Sequence, residues 1–198
     1  MTTNGTTDNS KRDAGEAGLA PTARILPNLP EDDPSIIPHA TTPLTFPTRQ
    51  NYEFDCGDYI LTTDPAFIDY QVVVDFLINE SYWGNKRTPE IIRRSIQHSI
   101  CFSLLRKQAT GQRGAFCGFT RLTTDYATFA YICDLFVLRG ERGKGLGKWM
   151  VKCVMRHPEV AEVNKWFLRT EDAHGLYERF GFKRDPLSFM YLVKEPIV

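Results

Sequence analysis

An apolar run, a glycine-rich hexad and an amphipathic run follow one another between Tyr131 and Arg156, and that order leaves few folds open. Tyr131 to Leu138 reads as a buried strand. Arg142-Gly143-Lys144-Gly145-Leu146-Gly147 is the turn. Leu146, Trp149, Met150, Cys153 and Val154 then fall at i, i+3, i+4, i+7 and i+8, one face of a helix, with Lys144, Lys148, Lys152 and Arg156 on the other. Glycines at such a turn let backbone N–H groups approach a ligand without Cβ atoms in the way. The first-turn N–H groups have no intrahelical partner, and the helix dipole adds positive potential. A phosphate or pyrophosphate is the natural guest.

Spacing separates the phosphate loops. A P-loop counted from Gly140 needs Lys-[Ser/Thr] after Gly145, where Leu146-Gly147 stands. A dinucleotide fingerprint from Gly143 needs glycine at Lys148. Both fail, and with them the reading as a nucleotide-binding protein weakens. What remains is R-x-x-G-x-G at Arg142, Gly145 and Gly147.

The stretch Phe136 to Gly147 resembles the acetyl-CoA-binding motif of the GNAT acyltransferases. A second segment, Ala173-His174-Gly175-Leu176-Tyr177-Glu178-Arg179-Phe180-Gly181-Phe182, resembles that family's A-x-x-L-Y-x-x-x-G-F. The resemblance covers roughly Tyr52 to Val198. One departure is Thr170, where many relatives carry Asn; a hydroxyl reaches less far than an amide. The resemblance implies acetyl-CoA as co-substrate, with Phe136, Val137 and Leu138 along the pantetheine. Arg142, Gly143, Lys144, Gly145, Leu146, Gly147 and Lys148 then lie around the pyrophosphate. A backbone N–H at the Val137–Leu138 end would polarise the thioester carbonyl.

Composition bounds the rest. The 198 residues are 42% hydrophobic with formal net charge zero, enough for one domain with a sizeable core and a tail. Neutral balance argues against bulk binding to nucleic acid or a membrane surface. No apolar run approaches the roughly 20 residues of a membrane span, and the N-terminal stretch lacks a secretory hydrophobic region; a cytoplasmic setting, or a nuclear one, is the expectation. The five cysteines form no C-x-x-C pair and the four histidines are scattered, so no metal and no disulfide is expected.

Residues 1–47 hold seven of the twelve prolines (Pro21, Pro27, Pro30, Pro34, Pro38, Pro43 and Pro47) and read as a disordered tail, with residues 48–198 as the GNAT-like domain. Arg24-Ile25-Leu26 and Ser35-Ile36-Ile37 are short runs able to dock. The domain reads as a strand (Tyr52 to Thr63), a helix opened by Asp64-Pro65, a helix opened by Thr88-Pro89, strands Ser99 to Arg106, Ala115 to Thr123 and Thr128 to Leu138, the loop helix, a strand at Lys165 to Thr170, a short helix to Phe180 and a last strand, Phe189 to Val193. That is a mixed α/β (α+β) layout with a central, mostly antiparallel sheet.

Acyl transfer to an amine needs a deprotonated amine, an oxyanion stabiliser and a proton for the thiolate. Tyr177 is the candidate acid, since a phenol of pKa ~10 nearly matches a thiol; packing against the final strand is the plainer reading. Asp134 is the one charge in an apolar run and by a period of two shares a face with Ile132 and Phe136, as base or as a structural carboxylate. Tyr82 and Trp83 lie in the inter-helix turn and Asp125 and Tyr126 in the loop entering the central strand; aromatics beside an acid would suit a cationic amine. Trp149, Trp166 and Phe167 read as core. The expectation is an N-acetyltransferase for a small amine, amino acid or amino-metabolite, with a protein lysine or N-terminal amine, or a non-catalytic CoA-binding scaffold, as alternatives, and with a possible homodimer through the final strand.

Overall fold

The structure, a computed structural model, describes residues 49–184. The tail and its two short apolar runs, like the last strand and the dimer contact assigned to it, lie outside the described residues. Six strands form one sheet in the order β1 to β6: Glu53–Cys56, Tyr59–Thr62, Ile100–Lys107, Arg113–Thr124, Ala130–Val137 and Trp166–Leu168. All neighbours are antiparallel except β5 and β6, which run parallel. Among the described residues no helix is long and apolar enough to cross a membrane.

The expected first strand is a hairpin, β1 and β2, closed by Gly57-Asp58 with Cys56 opposite Tyr59. Gly57 has φ +56°, the positive value that a two-residue turn of primed type asks for at its first central position. Asp64 caps one 3-10 turn, Pro65–Phe67, and the α-helix α1 (Tyr70–Asn79) starts only at a second cap, where the Asp69 carboxylate accepts from the Val72 N–H at 3.1 Å. Thr88 caps α2 (Pro89–Gln97) as expected, accepting from the Ile91 N–H.

Helices cover both faces. On one, α3 (Leu146–Met155) lays Met150, Cys153 and Val154 against Leu104, Leu122 and Ile132. On the other, α1 and α2 set Val73, Phe76, Leu77 and Ile92 against Phe119 and Phe136. Each such fully buried side chain contributes about 1.5–3 kcal/mol. Trp149 and Trp166 pack at the edge of the first cluster, whereas Phe167 is 37% exposed and is not core.

The two clusters reveal where β5 departs from a regular strand. Ile132 belongs to one face and Phe136 to the other, so the expected shared face of Ile132, Asp134 and Phe136 does not hold. The register against β4 shifts between Phe119↔Phe136 and Arg121↔Cys133, leaving an extra residue on β5. Asp134 sits in that bulge with φ +52°. One extra residue advances the alternation by one, and side chains beyond it change sides.

Candidate functional site

The bulge also ends the partnership with β6. Pairing runs Ala130↔Trp166, Tyr131↔Phe167 and Ile132↔Leu168 and stops there. Beyond it β5 keeps β4 on one side only, and the opening on the other side is a cleft of about 890 Å³ reaching from Tyr82 and Arg87 to Ala173 and Tyr177. The Leu138 N–H donates to Cys117 O at 2.8 Å and so faces β4. Alternation turns the Val137 amide and carbonyl toward the cleft, where Arg142 Nε donates to Val137 O at 2.9 Å. Of the two backbone donors expected to meet a carbonyl, Val137 has the right direction and Leu138 does not.

Adjoining the cleft, and sharing Val137, Arg142 and Leu176 with it, is a second concavity of about 270 Å³ lined by Gly143, Gly145, Gly147 and Lys148. Gly145 is the N-cap of α3 with φ +78°, a conformation costing an L side chain roughly 1–2 kcal/mol, and among the described residues no side chain caps the helix. A Cβ added at Gly147 would meet no atom of the described residues beyond its own helix turn within 4 Å. Packing therefore does not require glycine there; an approaching ligand would. An uncapped helix start with open space above it fits a pyrophosphate. Leu146 itself is buried beneath the loop.

Lys144 is placed differently from expectation. Its ammonium donates to Glu141 Oε2 at 2.7 Å and to the Tyr59 hydroxyl at 3.1 Å. Glu141 is buried, pairs with Arg106 and accepts from Tyr59 at 2.6 Å. This network anchors the glycine loop to β2 and β3, so Lys144 holds the loop rather than its guest. Glu141 gave no signal in the sequence because two of its three partners, Tyr59 and Arg106, are distant in the chain.

Asp134 is held from two sides. Arg87 Nη1 donates to its two oxygens at 2.9 and 3.0 Å, and Arg121 Nε donates to Oδ2 at 2.6 Å. Its side chain is 2% exposed. Arg121 also donates to Ser99 Oγ and Thr123 Oγ1, both at 3.2 Å. Burial lowers the Arg121 pKa, but the field and hydrogen bond of Asp134, with the nearby Cys133 and Cys101, outweigh it and leave the pKa raised, so this cation is permanent. With both oxygens occupied by guanidiniums, Asp134 is built to pin the bulge.

Tyr177, on the short helix α4 (His174–Tyr177), is buried and lines the cleft, with Phe182 edge-on at 5.8 Å. Burial first, then the fields of Tyr82 and Asp172, pushes its phenol up to about 12. The near match to a thiol expected for an ordinary tyrosine is thereby lost. Tyr82 spans the cleft: its hydroxyl donates to Asp172 Oδ1 at 3.3 Å and accepts from the Glu171 N–H at 2.7 Å. Trp83 lies behind it, edge-on at 4.8 Å. Thr170 Oγ1 accepts from the Ala173 N–H at 3.0 Å, shaping the turn into α4.

Asp125 and Tyr126 are not brought to the cleft. The Asp125 carboxylate accepts from the N–H groups of Ala127, Thr128 and Phe129 and from the Thr128 hydroxyl, which closes the β4–β5 hairpin and drives its pKa far below the usual range. Tyr126, at φ +66°, packs on the α3-side cluster under Arg49. The cysteines are free: Cys101, Cys117 and Cys153 are buried, Cys133 is half-buried at the cleft and Cys56 is exposed. Among the described residues no group of three or more His, Cys, Asp or Glu is placed to hold a metal ion.

Comparison with known proteins agrees with this geometry. Residues 98–184 match the family model described as the acetyltransferase (GNAT) domain. A solved structure from Xanthomonas campestris pv. campestris, described as a candidate acetyltransferase belonging to the GNAT family, is 33% identical, with 68% of this chain and 93% of that chain covered and a TM-score of 0.59. Another, a candidate acetyltransferase from Deinococcus radiodurans R1, is 26% identical, with 68% and 88% covered and a TM-score of 0.50. A curated relative from Gibberella zeae, described as a candidate acetyltransferase, is 29% identical over 144 residues, 64% of this chain and 80% of the relative.

Proposed function

The chain belongs to the GNAT family of acetyltransferases, and from that premise we propose that it transfers the acetyl group of acetyl-CoA to the primary amine of a small molecule in a ternary complex. The observation that carries the proposal is that Val137, Arg142 and Tyr177 line one cleft, which adjoins the uncapped start of α3.

The first-turn amides of α3, with Arg142 and Lys148, hold the pyrophosphate. The pantetheine runs along the free edge of β5, pairing with Val137, which Arg142 otherwise occupies. This brings the thioester beside Tyr177. The amine nitrogen attacks the carbonyl carbon, the Val137 N–H stabilises the oxyanion, and collapse breaks the C–S bond. The nitrogen loses one proton and the departing sulfur gains one. Tyr177 stays protonated throughout the neutral range and donates its hydroxyl hydrogen bond to the sulfur. At a pKa of about 12 it is a weaker acid than a thiol of about 8.5, so its proton crosses only as the nitrogen returns one. Asp134 fixes the bulge that splays β5 from β6 and takes no proton. The amine must be neutral to attack, so its ammonium proton is lost to solvent before the attack.

Thiol release from acetyl-CoA across a panel of amines and amino acids tests this, with Tyr177→Phe alongside. The variant should lose about a hundredfold or more in turnover while its CoA affinity stays unchanged. Turnover undiminished in Tyr177→Phe removes the tyrosine from the mechanism, and absence of CoA binding by the native chain removes the proposal.

A further inference from the structure

The charges around Asp134 do not balance. One buried carboxylate faces two guanidiniums, and no other carboxylate among the described residues pairs with either of them. Cys133 and Tyr131, which line the same part of the cleft, are both pushed up by burial and stay neutral. Arg121 is 11% exposed and completes its bonding with the neutral hydroxyls of Ser99 and Thr123. The surplus cation is therefore Arg87. Its side chain is 29% exposed, it lines the cleft, and among the described residues its side-chain hydrogen bonds all leave from Nη1. Nε and Nη2 remain as donors. Lys86, the next residue, is exposed, lines the same wall and has no ion pair among the described residues.

Neighbouring acids do not cancel this surplus. Glu80 pairs with Arg139 at 3.1 Å and Glu171 lies 3.8 Å from Arg169. Asp172 is close enough to Tyr177 to raise its pKa, and its described partners are the hydroxyls of Tyr82 and Thr170. The cleft thus contains a carboxylate held by Tyr82 near Tyr177, and two cations on the α1–α2 connection that no neighbouring acid among the described residues besides Asp134 pairs. The acid expected beside Tyr82 and Trp83 from the sequence, Asp125, is elsewhere; Asp172 bonds Tyr82 in its place, and Lys86 and Arg87 line the same cleft.

We propose that the acceptor amine carries an oxyanion group, a carboxylate or a phosphate, and that Arg87 and Lys86 bind it while the amine faces Tyr177. The inference rests on the acetyl-transfer reading and narrows its substrate class. A guanidinium already fixed by one carboxylate is preorganised for a second oxyanion, because its rotamer is set before the ligand arrives. Lys86 adds a mobile point charge at the rim.

The test uses matched pairs of ligands on the full chain with CoA bound. Binding is measured by calorimetry for N-acetyl amino acids against their carboxamides, and for phosphoethanolamine against ethanolamine. In parallel, thiol release from acetyl-CoA is followed with the free amino acids and their amides. At least one anionic member should bind about tenfold or more tightly than its neutral twin and show a matching advantage in kcat/KM; the pair that responds distinguishes carboxylate from phosphate. That preference should fall several-fold in Lys86→Met, which leaves the Asp134 clamp intact, and vanish in Arg87→Gln. If neutral and anionic partners bind alike in every pair, or the preference survives both substitutions, the proposal is overturned, and CoA binding and thiol release in the same samples show whether acetyl transfer stands without it.

Discussion

The two ends of the cleft are made of different materials. The phosphate end is backbone: an uncapped helix start, two glycines at positive φ and open space above a third, all between Gly143 and Gly147. The acceptor end is side chain: Arg87, Arg121 and Asp134 come from the α1–α2 connection, β4 and β5, and Tyr82 reaches 89 residues along the chain to the Glu171 amide. A backbone site recognises what every member of a co-substrate class shares. A site of long-range side chains can change one residue at a time and so set which acceptor is taken. The shared element is the β5 bulge, pinned by the second end and opening space for the first.

Asp134→Ala should break the acceptor end with the largest effect. Removing a nearly buried carboxylate leaves two guanidiniums facing each other, and loss of one partner of such a pair costs about 3 kcal/mol. Chemical denaturation should show that loss. At temperatures where the variant is folded, its CoA affinity should fall far less than its turnover. Equal loss of both would mean that the bulge holds the phosphate end as well. Gly147→Val probes the other end. It should weaken CoA binding about tenfold or more, by placing methyl groups where the ligand approaches, yet change unfolding free energy by only about 0.5 kcal/mol, since no atom of the described residues beyond its own helix turn is met and valine is no worse than glycine in a helix. Acceptor preference should not move.

This difference in materials also explains how far the sequence could be read. Gly145 and Gly147 announced the phosphate end because every constraint on it is local, within one turn and one helix. The α3 face, Leu146, Met150, Cys153 and Val154, is buried as its spacing predicted. The Gly57-Asp58 turn was equally local and does carry a hairpin signal, yet the polar and apolar residues from Tyr52 to Thr63 alternate well enough to pass for one strand. Asp134 stood out as a lone charge, but its conformation did not. An aspartate tolerates positive φ, and the bulge is set by pairing with β4, which no spacing within β5 reveals. Arg87, Arg121 and Glu141 were invisible for the same reason. Asp125 and Tyr126 shared loop and residue type with the expected acceptor site, but the carboxylate found nearer partners in its own turn.

The smallest predicted effect separates the fold from both ends at once. His157 follows α3 at the end away from the phosphate loop, is almost fully buried between Tyr52 and Phe102, and accepts from the Glu159 N–H at 3.3 Å through Nδ1. Its Nε2 is buried and has no hydrogen-bond partner among the described residues. Burial lowers its pKa below the usual 6.5, outweighing the opposing field of Glu159. A group depressed in the folded state binds more protons when unfolded, so the stability it contributes is present above pH 6.5 and is lost as pH falls through the folded value. The unfolding free energy of the native chain should therefore decline on acidification below about pH 6.5, and part of that slope should disappear in His157→Phe, whose ring keeps the aromatic contacts and has nothing to protonate. CoA affinity and acceptor preference in the folded variant should match those of the native chain at neutral pH. A shift in either would mean that the far end of α3 adjusts the helix start that meets the phosphate, and the two ends would then share a second connection besides the bulge.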